Sequence, residues 1–483
     1  MKKLKIIFAL LLLTAVSTHG QNQSDALRYS YLNYGGTARF MSMGGAFGAL
    51  GGDISALSTN PAGIGIFRGS EFTVTPSLNY SKVSSMYYGL SDEDIKYSFN
   101  LKNIGFIFTV PLQGGIEEPG MKSLNFGFGL IQHNNFNNRM VAEGFNNESS
   151  LMTHFLNQAI SEGSIDRLDP FTTSLAYDTW LLGTEESTGE FFVDMPDGNV
   201  KQRMEKNTSG GIRELVLTMG GNYNDIAYFG ATVGIPSVRY EESFTFIEQD
   251  TKELNAEFNS LEYNQYLYTS GTGFNVKLGA IFRIADIVRL GAAVHTPTFY
   301  SMEDEYHNSM RSDLNFDDYP NEAESPKGFF EYEINTPLRA LGSAGVVIGN
   351  LGILSVDYEF TDYSSMRLRS NDYHFSDENR AIKNDFKEQH GIRVGGELRL
   401  SPVFLRGGYA MYTSPYTGGL DDLAKTAISA GIGIRDRGYF LDFAYVYNLY
   451  SEDFYPYTNA DAIQAATFDY TQSNFVLTLG LRW

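Results

Sequence analysis

The chain has 483 residues and carries 57 acidic against 36 basic side chains, a net charge of −21. That balance excludes nucleic acid as a partner, because nucleic-acid binding needs a basic surface. The absence of cysteine excludes both disulfide bonds and a lipid-modified cysteine anchor.

Residues 1–20 begin with Lys2, Lys3 and Lys5, continue through the apolar run IIFALLLLTAV, and end on Thr18-His19-Gly20. A basic start, a short apolar stretch and small residues at the cut describe a secretory signal peptide, with cleavage near Gly20. The apolar run is too short to span a bilayer. No later stretch approaches the ~18 consecutive apolar residues of a membrane helix. The mean hydropathy of −0.23 suits a soluble protein or a transmembrane barrel, in which only alternate residues face lipid. Aromatics at 14% and 49 glycines favour the barrel, since aromatic girdles line its two interfaces.

SDALRYSYLNY (24–34) reads as a short helix capped by Ser24. The next stretch, MSMGGAFGALGGDISALSTNPAGIG (41–65), holds seven glycines and no Lys, Arg or His. It is too permissive for a long helix and too small-sided for a core strand, so it reads as a compact segment pressed against something larger. Asn60-Pro61-Ala62-Gly63 closes it: Pro fixes φ, Asn bonds its own backbone, and Gly frees the exit.

From about residue 70, period-two alternation takes over. Fourteen candidate strands start near Glu71, Ser98, Leu124, Ile212, Ala227, Leu261, Val288, Lys327, Leu351, Phe386, Val403, Lys425, Tyr439 and Gln472. In 274–283, Phe274, Val276, Leu278, Ala280 and Phe282 form an apolar face for lipid, while Asn275, Lys277 and Arg283 point inward. The third strand, LNFGFGLIQHNNF, carries Gly127 and Gly129 on one face. Tight connections, as at Asn224-Asp225, Gly349-Asn350 and Ser401-Pro402, alternate with long ones at about 137–211, 245–260, 303–326, 371–385, 413–424 and 451–471. Short periplasmic turns and long outer loops are the pattern of an outer-membrane barrel.

Within 137–211, a helix is expected over 151–160, and 171–182 adds Trp180, Leu181 and Leu182. The loop either packs on itself or offers Phe155, Leu156, Trp180 and Leu181 as an apolar landing site. The acidic run 303–324 reads as a solvated face, with a divalent cation as the weaker reading. Alternation places Lys277, Arg339, Arg393 and Arg406 in the lumen together with Asp357, Glu359, Glu397 and Asp442. Those cations either pair with the carboxylates or hold a ligand carboxylate. None of the six histidines beyond residue 20 sits in a nucleophile motif, and phosphate-loop, zinc and EF-hand patterns are missing, so neither an enzyme nor a cofactor or metal is expected.

MGGAFGALGGDISALSTNPAG resembles the plug of FadL/TodX-type outer-membrane proteins, the channels for long-chain fatty acids and aromatic hydrocarbons. The resemblance implies an all-β, 14-stranded transmembrane barrel over 71–483 with a helix and hatch over 21–70 inside it. It implies that Asn60, Pro61, Ala62 and Gly63 form the gate turn, and that Gly127 and Gly129 mark a third-strand kink opening sideways to the membrane. The C-terminal NFVLTLGLRW, with Phe475 and Trp483 on one face, resembles the signal read by the barrel assembly machinery. The expected function is a passive channel for hydrophobic small molecules with hatch-gated lateral exit. It would be a monomer among outer-membrane lipid and lipopolysaccharide. The alternatives are a family barrel serving as a shuttle or anchor for secreted proteins, and a haem receptor.

Overall fold

The computed structural model describes residues 23–112, 120–193, 198–315, 322–417, 424–457 and 463–483; the leader at 1–20 lies outside them. Each alternating segment becomes an antiparallel strand, and there are fourteen in the wall. They are β1 Glu71–Tyr87, β2 Leu90–Pro111, β3 Met121–Asn135 continuing as Asn138–Asn146, β4 Val200–Tyr223, β5 Ala227–Gln249, β6 Phe258–Arg283, and β7 Val288–His295 continuing as Phe299–Leu314. The second half comprises β8 Gly328–Asn335 continuing as Arg339–Ile348, β9 Gly352–Asp362, β10 Glu388–Leu400, β11 Val403–Tyr412, β12 Lys425–Arg435, β13 Tyr439–Phe454 and β14 Ala466–Arg482. β14 returns to β1 in register from Glu71↔Arg482 to Met86↔Thr467, so the sheet closes on itself.

Closure is what lets strands cross lipid, because the ladders satisfy the backbone polar groups that water cannot reach. The outward face carries an exposed belt that includes Phe229, Val233, Phe274, Leu278, Leu354, Val356, Ile392, Val394, Leu398, Ile432 and Leu479. Their inward neighbours, such as Asn275, Lys277, Arg393 and Glu397, are buried. No helix among the described residues is long and apolar enough to cross a membrane.

The outer strands run further than expected. β5 reaches Gln249 and β6 begins at Phe258, so the expected loop at 245–260 shortens to 250–257. Most of 303–326 and both ends of 451–471 are likewise strand, and the first outer connection is the two-residue turn Tyr88-Gly89, both with positive φ. The alternation beyond the lipid belt is inverted in polarity. On β5 the outward residues change from Phe229, Val233 and Ile235 to Ser237 and Arg239, while the inward ones become Val238, Tyr240, Phe244 and Phe246. Charges on the outward face made these segments read as loops.

The apolar inward residues pack against the long third loop. Ser150 caps helix α3 (Leu151–Glu162) by accepting from Met152 N. Leu151, Met152, Phe155 and Ala159 share its buried face, as spacing of i, i+1, i+4 and i+8 requires. They join Met204, Phe244, Phe246, Leu261, Tyr263 and Met310 in one cluster over the barrel mouth.

Trp483 meets the exit of the N-terminal segment: its N donates to Ser70 O at 3.1 Å, and Ser70 N donates to Trp483 O at 3.0 Å. Its ring lies outside, in line with Phe475, Leu477, Leu479 and Leu481. Deleting Trp483 removes two closing bonds and the terminal aromatic, and the amount of heat-modifiable barrel in the membrane should fall severalfold. Wild-type amounts would rule out a role for this residue in assembly.

Candidate functional site

The lumen is filled by residues 23–69, which enter from above as helix α1 (Gln23–Ser30), turn through helix α2 (Ala38–Ser42), and end in two 3-10 turns, Ile54–Ser58 and Pro61–Ile66. Side chains cap each piece. Thr37 Oγ1 accepts from Phe40 N and donates to Asp53 Oδ2 at 2.7 Å; Asp53 Oδ1 in turn accepts from Ser55 N. Asn60 Oδ1 accepts from Ala62 N at 3.1 Å, while its Nδ2 donates to Gly48 O at 2.6 Å and to the wall carbonyl of Ala280 at 3.3 Å. The wall admits this turn only because it lacks side chains there: a Cβ at Gly279 would collide with Asn60 Oδ1, and one at Gly230 with the Pro61 carbonyl. The Asn60–Gly63 turn therefore docks on β5 and β6, and the next residue, Ile64, meets the third strand, where its carbonyl accepts from Asn125 Nδ2 at 2.6 Å.

Charge fixes the hatch on the opposite wall. Arg39 Nε on α2 donates to Glu397 Oε2 at 2.8 Å, and Arg406 Nε donates to the same oxygen at 2.9 Å. Arg399 Nε reaches Glu397 Oε1 at 3.1 Å, and Arg406 Nη1 continues to Asp442 Oδ1 at 2.7 Å. Asp357 accepts from Phe47 N at 3.0 Å and Gly48 N at 2.9 Å. Higher up, Arg339 and Arg393 share Glu359 at 2.9 and 3.0 Å, and Lys277 and His133 share Glu214. Lys277, Arg339, Arg393 and Arg406 thus each hold a carboxylate of the chain itself, as burial demands of a charge. Arg39, His133 and Glu214 were not singled out in the sequence, because nothing local marks a residue whose partner lies hundreds of positions away.

The wall has an open seam. The β2–β3 ladder runs from Pro111↔Ser123 up to Asn103↔Ile131 and stops. Above it, the Asn138–Asn146 half of β3 pairs with β4, and the upper half of β2 pairs with β1. Among the described residues no rung joins β2 to that half of β3. Side chains bridge the gap: Gln132 Nε2 to Asn100 Oδ1 at 3.2 Å, Asn135 Nδ2 to Ser98 Oγ at 3.0 Å, Lys96 Nζ to Asn138 O at 3.2 Å, and Arg139 to Asp94 at 3.2 Å.

The break follows from four polar residues in succession, Gln132, His133, Asn134 and Asn135. Alternation ends there, the first three turn inward and are buried, and the β3–β4 register shifts. Gly127 and Gly129, expected at the kink, instead lie in unbroken ladder on both sides, opposite Ile107 and Thr218, and Gly105 and Val216. Gly127 faces Ile64 and Leu57 of the hatch, so its missing side chain makes room for the plug.

Asn134 links the seam to the N-terminal segment: its Oδ1 accepts from Asn33 N at 2.9 Å and its Nδ2 donates to Tyr31 O at 2.6 Å. The linker between α1 and α2 therefore covers the seam from inside. Outside, Leu78, Ile95, Tyr97 and Phe99 present an apolar surface, and Phe99 beside the gap is 77% exposed.

The expected landing residues divide. Phe155 and Leu181 are buried in the cap and Leu156 is half-buried, because α3 spends its apolar face on closing the barrel mouth. Only Trp180 is exposed, at 53%. Beneath α3, Glu248 accepts from Ser150 Oγ, Leu151 N and Gln202 Nε2, and burial pushes its carboxyl up to about 7.

No family model matches the chain, and no curated protein matches it. Solved structures do match. The Pseudomonas putida toluene transporter TodX aligns at a TM-score of 0.55 and 12% identity, over 93% of this chain and 99% of that one. The monoaromatic hydrocarbon channel CymD aligns at 0.53 and 9%, over 94% and 99%. A Pseudomonas aeruginosa FadL homologue aligns at 0.52 and 12%, over 94% and 99%. At such identities the likeness is one of fold: a closed barrel of the FadL type with its N-terminal segment inside.

Proposed function

We propose that this FadL-type barrel is a passive outer-membrane channel for hydrophobic small molecules, which leave sideways into the lipid through the β2–β3 seam. The observation that carries the reading is the seam: a ladder that stops beside the exposed apolar side chains Leu78, Ile95, Tyr97 and Phe99, next to a lumen blocked below by the hatch. The neighbours are transporters or channels for toluene and monoaromatic hydrocarbons by name, which supports a hydrophobic cargo. Lateral exit keeps an apolar body out of water, where each exposed CH₂ costs ~0.8 kcal/mol. Passage needs the α1–α2 linker to move off the seam, and the hatch anchors that linker.

Cells expressing the chain should take up labelled 1-dodecanol faster than cells carrying an empty vector; equal rates would overturn the reading. Asn60→Ala should leave the barrel folded and raise uptake per folded barrel, by up to ~10-fold, since losing its hydrogen bond to the wall carbonyl of Ala280 loosens the docked hatch by ~0.5–1.5 kcal/mol. Unchanged uptake per barrel, with the melting temperature measured alongside, would remove Asn60 from the gate.

A further inference from the structure

Arg283 and Arg289 stand apart from the lumenal cations described above. They flank the short turn between β6 and β7 and lie directly opposite each other in the ladder. Their neighbours Phe282 and Leu290 are exposed on the lipid side, so alternation turns both arginines toward the lumen, where they are half-buried. Residues so paired have Cβ atoms ~5 Å apart, and like charges there repel.

Elsewhere in the lumen, Arg339, Arg393, Arg399, Arg406, Arg435 and Arg482 each meet a carboxylate. Among the described residues Arg283 and Arg289 meet none, Asp286 of their own turn included. Asp225 lies near enough to feel Arg283, but it is already held by Arg68 and by Asn222 Nδ2. Arg289 Nη1 donates instead to the Leu50 carbonyl of the hatch at 3.0 Å. The charges of Arg283, Arg399 and Arg68 all bear on it. Four guanidinium groups thus gather where the wall meets the hatch, at the short-turn end of the barrel. A chain with 57 acidic side chains supplies only Asp225 and the shared Glu397 to balance them.

We propose that Arg283 and Arg289 form a binding site for a phosphate-type oxyanion, which ties the β6–β7 hairpin to the hatch. The planar fork of each guanidinium matches two oxygens of such a group, and one anion between two like charges turns their repulsion into attraction. Because Arg289 also holds the Leu50 carbonyl, the bound anion pins the lower turn of the hatch through it. The chemistry is the same for free phosphate and for the headgroup of a phospholipid. The site stands independently of what passes through the barrel.

The test uses the full chain in phosphate-free micelles of an uncharged detergent. One arm titrates inorganic phosphate by calorimetry; the other adds phosphatidylglycerol and counts retained lipid by native mass spectrometry. Wild type should bind one phosphate or retain one lipid per barrel. Arg283→Gln and Arg289→Gln should each weaken binding by at least ~10-fold, since each loses a charge-assisted fork. Arg437→Gln, in the exposed β12–β13 turn, should bind as wild type does. Removing one of two opposed like charges leaves the ladder intact, and heat-modifiable migration checks that each variant is folded. Phosphate binding that both variants lose supports the site with a free oxyanion as ligand. Retained phosphatidylglycerol that both variants lose, without phosphate binding, supports it with a headgroup. Neither ligand bound by wild type, binding that persists in the two variants, or an equal loss in Arg437→Gln overturns it.

Discussion

Replacing Glu397 by Leu should release the hatch while the barrel stays closed. Glu397 accepts from Arg39 on the hatch and from Arg399 and Arg406 on the wall. Arg39, Arg406 and Glu397 are all buried. Among the described residues, removing the carboxylate leaves Arg39 with no counter-ion in direct contact and strips Arg406 of one of its two. Breaking a buried pair in this way costs ~3–5 kcal/mol, because the abandoned charge must be buried alone or leave. The fourteen-strand ladder does not pass through that side chain, so the cost falls on docking of the hatch. A shift of that size raises the undocked population by ~10²–10³-fold or more. Since the hatch fills the lumen, the variant in a planar bilayer should carry a sustained ionic current where wild type carries almost none. Residues 38–66 should also become cleavable by added protease. A closed, protease-resistant Glu397→Leu barrel would show that the glycine-lined contacts hold the hatch without the charge network.

How much of this was legible in the sequence depends on whether the signal is local. The strands were, because lipid on one side and a polar lumen on the other force alternation, as in Phe274 to Arg283. Their outer ends were not: above the lipid the exposed face becomes charged, and Glu303 or Arg311 looks like loop. The Asn60 turn was legible as a turn, since Asn, Pro and Gly act on their own backbone. Its docking place was not, because Gly230 and Gly279 reveal themselves only when the hatch is set against them. The lumenal charges were assigned to the correct face, yet their partners come from across the barrel, and pairing decides what they do. The kink was sought at Gly127 and Gly129 on the ground that strand glycines mark irregularity. The polar run Gln132 to Asn135 was the truer sign, because four polar residues in a row cannot alternate.

Closing the seam should stop transport. The chain has no cysteine, so Ser98→Cys and Asn135→Cys place the two thiols of the molecule on either side of the gap, where the native side chains meet at 3.0 Å. No backbone rung is there to be disturbed, and a short, reducible bis-thiol crosslinker can be added after the barrel has assembled, so folding is not at issue. Bridging replaces one hydrogen bond worth ~0.5–1.5 kcal/mol with a covalent tie that thermal motion cannot open. The direct measurement is uptake of labelled 1-dodecanol by cells carrying this variant, before bridging, after bridging, and after reduction. Uptake should drop to the empty-vector rate when the bridge is complete and recover when it is cut. Full uptake through a completely bridged seam would contradict lateral exit between β2 and β3.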